Sequence, residues 1–336
     1  MSAALPAPPL ARAIAERTLS PSDDAALDAA VRRLVAAAGE SLRGLVFFGS
    51  RRTGAARADA WSAYDVFVIV SAYRPFYGAL RRAGLCGKRP RLLALVSRLL
   101  PPTQCSLRFE AEGVHVKASV LDEHTLARET SPDRRDHFCI GRLFQPTRLL
   151  HARDQAARDA ILACLVSAQR ETWSWARPWL PPEFDASAYG LAALRTSMRW
   201  EVRPEPAGRA DLLWDAQRAL QGPVFEALLA ELAAAGELRE VAGRAGAWRP
   251  TRPVGRFERL RREAYFRLSS ARSTARWLKH VVSFEGWLEY IVQKASRHGG
   301  EEVRLTERER RLPLVFLWGR VFRYLASVRR GAKKTG

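Results

Sequence analysis

Two short runs decide how this chain is read: Leu45-Val46-Phe47-Phe48-Gly49-Ser50 and, after a polar loop, Tyr64-Asp65-Val66-Phe67-Val68-Ile69-Val70. The first predicts an apolar strand ending on a small-residue turn. The second is β-branched and aromatic with both faces mostly apolar, which predicts a central strand. Asp65, 15 residues after Ser50, is the single charged group in that strand. A glycine lets backbone approach a bulky anion, and a serine hydroxyl or amide can bond a phosphate oxygen. Arg51, Arg52 and Arg57 in the loop could hold phosphates. The plain structural alternative is a surface turn followed by a strand-capping acid.

The flanks supply the rest of an α/β (α+β) domain with a mixed sheet. Asp23–Gly39 and Arg74–Ala83 have helical spacing. Cys105–Glu110 and Gly113–Leu121 predict a hairpin, and Asp122 is placed to cap a helix beginning there. Phe138–Leu150 is an apolar stretch broken by Gly141 and Pro146. Residues 154–176, 186–200 and 208–237 are helical by periodicity, and the glycines, prolines and arginines of 243–255 predict a linker. The expected organisation is a flexible tail over 1–30 and a sheet domain over 31–150. A mostly helical domain, with a winged-helix-like arrangement as one option, follows over 151–245, and a basic helical region over 246–336.

The chain has 336 residues, 47% of them hydrophobic and 27% charged, which is an ordinary globular balance. Its charge is not ordinary: 55 Lys+Arg against 35 Asp+Glu, net +20. That excess implies an anionic partner, whether nucleic acid, membrane surface or phosphorylated ligand. Residues 241–336 alone carry 23 basic and 8 acidic residues, net +15, so the excess is concentrated there. The four cysteines lack CxxC spacing and sit in apolar contexts, predicting free buried thiols and a reducing compartment. No charged n-region or continuous apolar h-region marks a secretory signal. No run of 18 apolar residues predicts a membrane span; the nearest, Leu312–Val328, contains Arg320 and Arg323.

The Gly49-Ser50 turn followed by a strand headed by Asp65 resembles the polymerase-β-type nucleotidyltransferase superfamily. The usual second acid of that superfamily, two residues on, is Phe67 here. Either Asp59, Glu110 or Glu112 supplies the missing ligand, or the site is a variant. The single-acid strand resembles one branch in particular, the mitochondrial-type phosphatidate cytidylyltransferases of the translocator-assembly-and-maintenance family. Three further stretches are similar in order and spacing over about residues 44–300. They are Gly113-Val114-His115-Val116-Lys117-Ala118-Ser119-Val120, the Gly-Arg-Leu-x-x-Pro core of His137–Thr147, and the basic segment Arg272–Lys294.

The resemblance implies transfer of CMP from CTP to phosphatidic acid with Mg²⁺ and release of pyrophosphate. It implies that Gly49, Ser50, Arg51, Arg52 and Arg142 contact the nucleotide and that Asp65 holds magnesium. It makes Lys117 a catalytic cation near the phosphates. Against these stand an exposed strand lysine at 117 and a structural turn at Arg142. His115 and His137 are expected to be packed or surface histidines rather than catalytic groups.

A lipid acceptor requires a bilayer, and two segments have the composition of interfacial helices on an anionic surface. These are Leu312–Val328, followed by Arg329, Arg330, Lys333 and Lys334, and Arg272–Lys294 with Trp277, Phe284 and Trp287. The expected location is therefore cytoplasmic and peripheral at the inner membrane face. Two other classes compete: a nucleotidyltransferase acting on RNA or another acceptor, and an inactive binding module. Nucleic acid is the less favoured partner, because no RNP-type aromatic motif or zinc knuckle is present.

Overall fold

A computed structural model describes residues 8–53, 63–200, 208–283, 292 and 305–311 of the chain. The sheet is built from β1 (Leu42–Phe48), β2 (Tyr64–Val70), β3 (Thr103–Phe109), β4 (Val114–Asp122) and β5 (Arg148–Ala152). Their order is β3-β4-β2-β1-β5. β1 runs antiparallel to β2 and β5, β3 antiparallel to β4, and β2 parallel to β4, so the sheet is mixed.

β2 begins at Tyr64, as its pattern predicts, and every residue after Asp65 is buried. Val66, Val68 and Val70 face a layer made by α2 (Ala25–Ala38), α3 (Tyr73–Arg82) and α4 (Pro90–Leu99). Leu34, Phe76, Tyr77 and Leu93 are the main contributors from those helices. α2 starts where Asp24 accepts a hydrogen bond from the Leu27 amide at 3.0 Å. On the other face, Phe67 and Ile69 join a larger cluster from α1 (Pro9–Thr18), α5 (Glu123–Glu129) and α6 (Ile140–Leu143). The cluster continues into α7 (Gln155–Ala176), α8 (Ala186–Trp200), α9 (Arg209–Ala234) and Phe266 of α10 (Arg256–Ser283). One apolar cluster thus crosses the positions expected to divide the chain at 150/151 and 245/246. Gly44 shows how close the layers lie: a Cβ there would stand 2.3 Å from Ile161 Cδ1 of α7.

Two expectations are corrected. Part of the tail expected to be flexible forms α1, with Leu10 and Ile14 fully buried. Its alanines and prolines hide a short amphipathic face that has a core to join. The linker expected over 243–255 is largely a hairpin of β6 (Leu238–Val241) and β7 (Arg244–Pro250), in which Gly243 and Gly246 take positive φ. A last short helix, α11, spans Glu307–Arg311. None of the four cysteines forms a disulfide; Cys86, Cys105 and Cys139 are buried and Cys164 is half-buried.

α10 is tied to the sheet domain by charge. Asp136, 1% exposed, accepts from Arg272 Nε at 3.2 Å and from Arg276 Nη2. Arg276 Nε donates to the Pro101 carbonyl at 2.9 Å. Lys279 Nζ donates to the carbonyls of Val96 and Leu100 at the end of α4, to that of Pro102 at 3.3 Å, and to Thr103 Oγ1 at 3.0 Å. The basic residues 272, 276 and 279, expected to face a membrane, are turned inward. Removing one partner of a buried ion pair strands the other charge. Asp136→Ala is therefore expected to cost about 3–5 kcal/mol in urea unfolding. A loss below 1 kcal/mol would show that the pair does not hold α10.

Candidate active site at the head of the central strands

Chain direction brings three elements to one edge of the sheet. β1 ends at Phe48, which pairs with Asp65 at the start of β2, and Asp65 pairs with Lys117 of β4. Gly49 turns away with φ +89°, and a Cβ on it would meet Asp65 Oδ2 at 2.9 Å. Glycine is needed there twice, for the left-handed backbone and for the approach of the carboxylate. The turn is closed by the Arg52 amide donating to the Gly49 carbonyl at 3.0 Å, and by Thr53 Oγ1 donating to the Ser50 carbonyl at 3.2 Å.

Asp65 is one-third exposed, and Lys117 Nζ lies 3.9 Å from its Oδ1. That distance is Coulombic rather than hydrogen bonding. His115, two residues away on the same face, shares a 2.8 Å hydrogen bond with Ser106 of β3. Burial, then the charges of Arg108 and Lys117, push the His115 imidazole below its usual range, while Asp65 pulls it up. A neutral, hydrogen-bonded His115 fits the packed role expected of it.

Phe67 occupies the position of the second acid. It is completely buried and stacks on Phe48 with centroids 4.6 Å apart. The candidate replacements do not gather at Asp65. Glu112 pairs with Arg33 of α2 at 3.3 Å. Glu110 precedes the β3–β4 turn, and Val114 at the start of β4 is already three residues from Lys117, roughly 10 Å along the strand. Asp59 and Arg57 lie outside the described residues. Among the described residues no group of three or more His, Cys, Asp or Glu side chains could hold a metal ion. Magnesium is often held by one or two carboxylates together with substrate phosphates. Asp65 fits one ion held in that way, and no described carboxylate beside it fits a second.

The two loop arginines part company. Arg51 stacks 3.7 Å over the Tyr64 ring and donates to the Tyr64 hydroxyl at 2.7 Å. That hydroxyl donates in turn to Asp24. Burial and the Asp24 hydrogen bond raise the Tyr64 phenol to about 12. Tyr64 belongs to the α2 side of the sheet, so these contacts of Arg51 lie on the face opposite Asp65. Arg52 points instead toward α1, donating to the Arg17 carbonyl at 3.4 Å and to Ser20 Oγ at 3.4 Å.

Arg142 is packed inside the protein. It is buried in α6, stacks 3.8 Å over Phe138 and donates to the Phe138 carbonyl at 2.7 Å. Gly141 beside it is required by packing, since a Cβ would meet His137 Cδ2 at 2.8 Å and Ser197 Oγ at 2.9 Å. His137 is likewise structural, bonded to Ser197 at 3.0 Å and edge-on to Trp175. The Gly-Arg-Leu stretch here makes a packed turn. Compared with known proteins, the chain matches no family model and no curated protein.

Gly39 offers a control for Gly49: it also has positive φ, +52°, but a Cβ there meets nothing within 4 Å. Both alanine variants should lose stability by about 1–3 kcal/mol from backbone strain. Gly49→Ala alone should also displace the Asp65 carboxylate. Equal effects of the two variants on stability and on any ligand bound at Asp65 would refute the close approach.

Proposed function

We propose that this protein is a nucleotidyltransferase that moves CMP from CTP to phosphatidic acid at an anionic membrane surface. The observation that carries the reading is the glycine turn closed against Asp65 at the head of β2, with Lys117 opposite it on β4. The Gly49–Ser50 turn would seat the triphosphate, and Asp65 would hold magnesium. A bound magnesium ion would neutralise phosphate charge. Lys117 would offset the charge that builds when an acceptor phosphate meets the nucleotide. A phosphatidate oxygen bonds to the α-phosphorus of CTP, and the α–β bridging bond breaks. Pyrophosphate leaves with the electron pair. The acceptor is already anionic, so alignment and charge neutralisation matter more than a base.

The buried Phe67 favours one alternative, an inactive binding module. Labelled CTP and phosphatidic acid vesicles with Mg²⁺ separate the two. The expected result is CDP-lipid from the wild type and none from Asp65→Asn. Lys117→Met should lose about 10²–10³-fold in kcat. No CDP-lipid with Mg²⁺, Mn²⁺ or Co²⁺ would sink the transferase reading, and nucleotide addition to RNA instead would replace the acceptor.

The membrane contact is supported by described helices. In α4, Leu92, Leu95 and Leu99 are 43%, 55% and 68% exposed at helical spacing. Residues 66–109 hold eight Lys or Arg and no acid. In α10, Phe257, Leu260 and Leu268 are exposed among Arg256, Arg259, Arg261 and Arg267. Exposed leucines ringed by arginine suit an anionic lipid interface, whereas a nucleic-acid backbone gains nothing from leucine. No described helix is long and apolar enough to cross a membrane. The segment 312–328 lies outside the described residues. Sedimentation with anionic vesicles should fall severalfold in Leu95→Asp, and unchanged binding would remove α4 from the interface.

A further inference from the structure

Among the described residues, three arginines meet behind the Gly49–Ser50 turn with a single exposed carboxylate, Asp23, beside them. Arg17 ends α1, Arg52 closes the turn after β1, and Arg148 begins β5. Arg17 is 6% exposed. Its Nη1 donates to Gln221 Oε1, a neutral acceptor fixed by Gln221 Nε2 donating to the Phe144 carbonyl at 2.6 Å and to Gln169 Oε1 at 3.2 Å. Its Nε and Nη2 are buried with no partner. Arg52 Nε and Arg148 Nε are also buried without partners.

The charge is as unbalanced as the hydrogen bonding. Among the described residues neither Arg17 nor Arg52 is ion-paired, and Arg148 reaches only Asp23, at 3.3 Å, whose side chain is 93% exposed. The groups are close enough to oppose each other's charge. Burial and Arg52 push Arg17 down to about 9, and burial followed by Arg148 lowers Arg52 against the opposing pull of Asp23. The elements are locked together by the fully buried Thr18 and Thr147 hydroxyls, 3.4 Å apart. A buried charge without a counter-charge is costly, and guanidinium forks match phosphate oxygens.

We infer that Arg17, Arg52 and Arg148 form a seat for a phosphate group, entered past the half-buried Arg52 and Arg148. Arg52 belongs to the same turn as Gly49, so the seat adjoins the candidate active site. Which phosphate occupies it rests on the proposed function: the triphosphate of the nucleotide or the headgroup of the phosphatidate acceptor. The cation cluster itself does not depend on that reading.

The test titrates the full-length protein with tripolyphosphate, CTP and dihexanoyl phosphatidate at constant ionic strength. Calorimetry and the shift in Tm are the readouts. At least one probe should bind with 1:1 stoichiometry and raise Tm, and Arg148→Gln should weaken it tenfold or more. Binding of CTP and tripolyphosphate alone assigns the seat to the nucleotide; binding of the phosphatidate alone assigns it to the acceptor.

Arg17→Met keeps the bulk and removes the buried charge. It should hold or raise the ligand-free Tm while losing the ligand-induced rise. The inference is overturned by any of three results: no probe binds, Arg148→Gln stays within twofold of wild type, or Arg17→Met keeps the ligand-induced rise. A Tm rise matched by sodium chloride alone overturns it as well. A protein that binds phosphate here yet forms no CDP-lipid would uphold the seat and sink the transferase reading.

Discussion

β2 is buried on both faces, and the layers of the molecule answer that constraint. A strand of valine, phenylalanine and isoleucine must be covered from two sides, because an uncovered face would leave large apolar side chains in water. α2, α3 and α4 cover one side. α1 and α5 through α10 cover the other. Only the first turn of the strand escapes, and that is where Asp65 stands, one-third exposed. The charged site is thus a by-product of where the double cover stops.

The same constraint explains Phe67. A side chain two residues deeper than Asp65 on the same face is already beneath α1 and its neighbours. A carboxylate there would need compensation that the surrounding apolar cluster does not offer. The neighbouring strand brings an ammonium to Asp65 rather than another acid. The edge is therefore suited to collecting phosphates around a single carboxylate.

The fold was legible where period and burial coincide. β2, the β3–β4 hairpin, α2, α7 and α8 lie at or within a few residues of their expected positions, because each carries a continuous apolar pattern and a recognisable end. α1, β5 and the β6–β7 hairpin were not legible. They are short, and their pattern makes sense only against the partner that covers them. In the site, Gly49 and Asp65 stand out from the strand–turn–strand pattern and Lys117 from the family resemblance, and the sheet sets the three side by side. The arginines do not stand out. With arginine spread through the chain, spacing alone cannot tell Arg51, laid on Tyr64, from Arg52, turned the other way, or Arg142, folded onto its own turn. Arg17 and Arg148 carried no signal at all, since only the tertiary fold brings them to Arg52.

The arginines also change what a net charge of +20 means. Arg134, Arg142 and Arg276 are buried, so part of that positive charge braces the interior rather than facing an outside partner. The contact between Arg17 and Gln221 spans 204 positions of chain. On a ribosome adding about 5–20 residues per second, the first helix would wait roughly 10–40 s for α9 to be made. α7 and β5, which α1 also touches, are made earlier, so α9 completes the cover over Leu10 and Ile14. α1 is thus fully fastened only once α9 has been made.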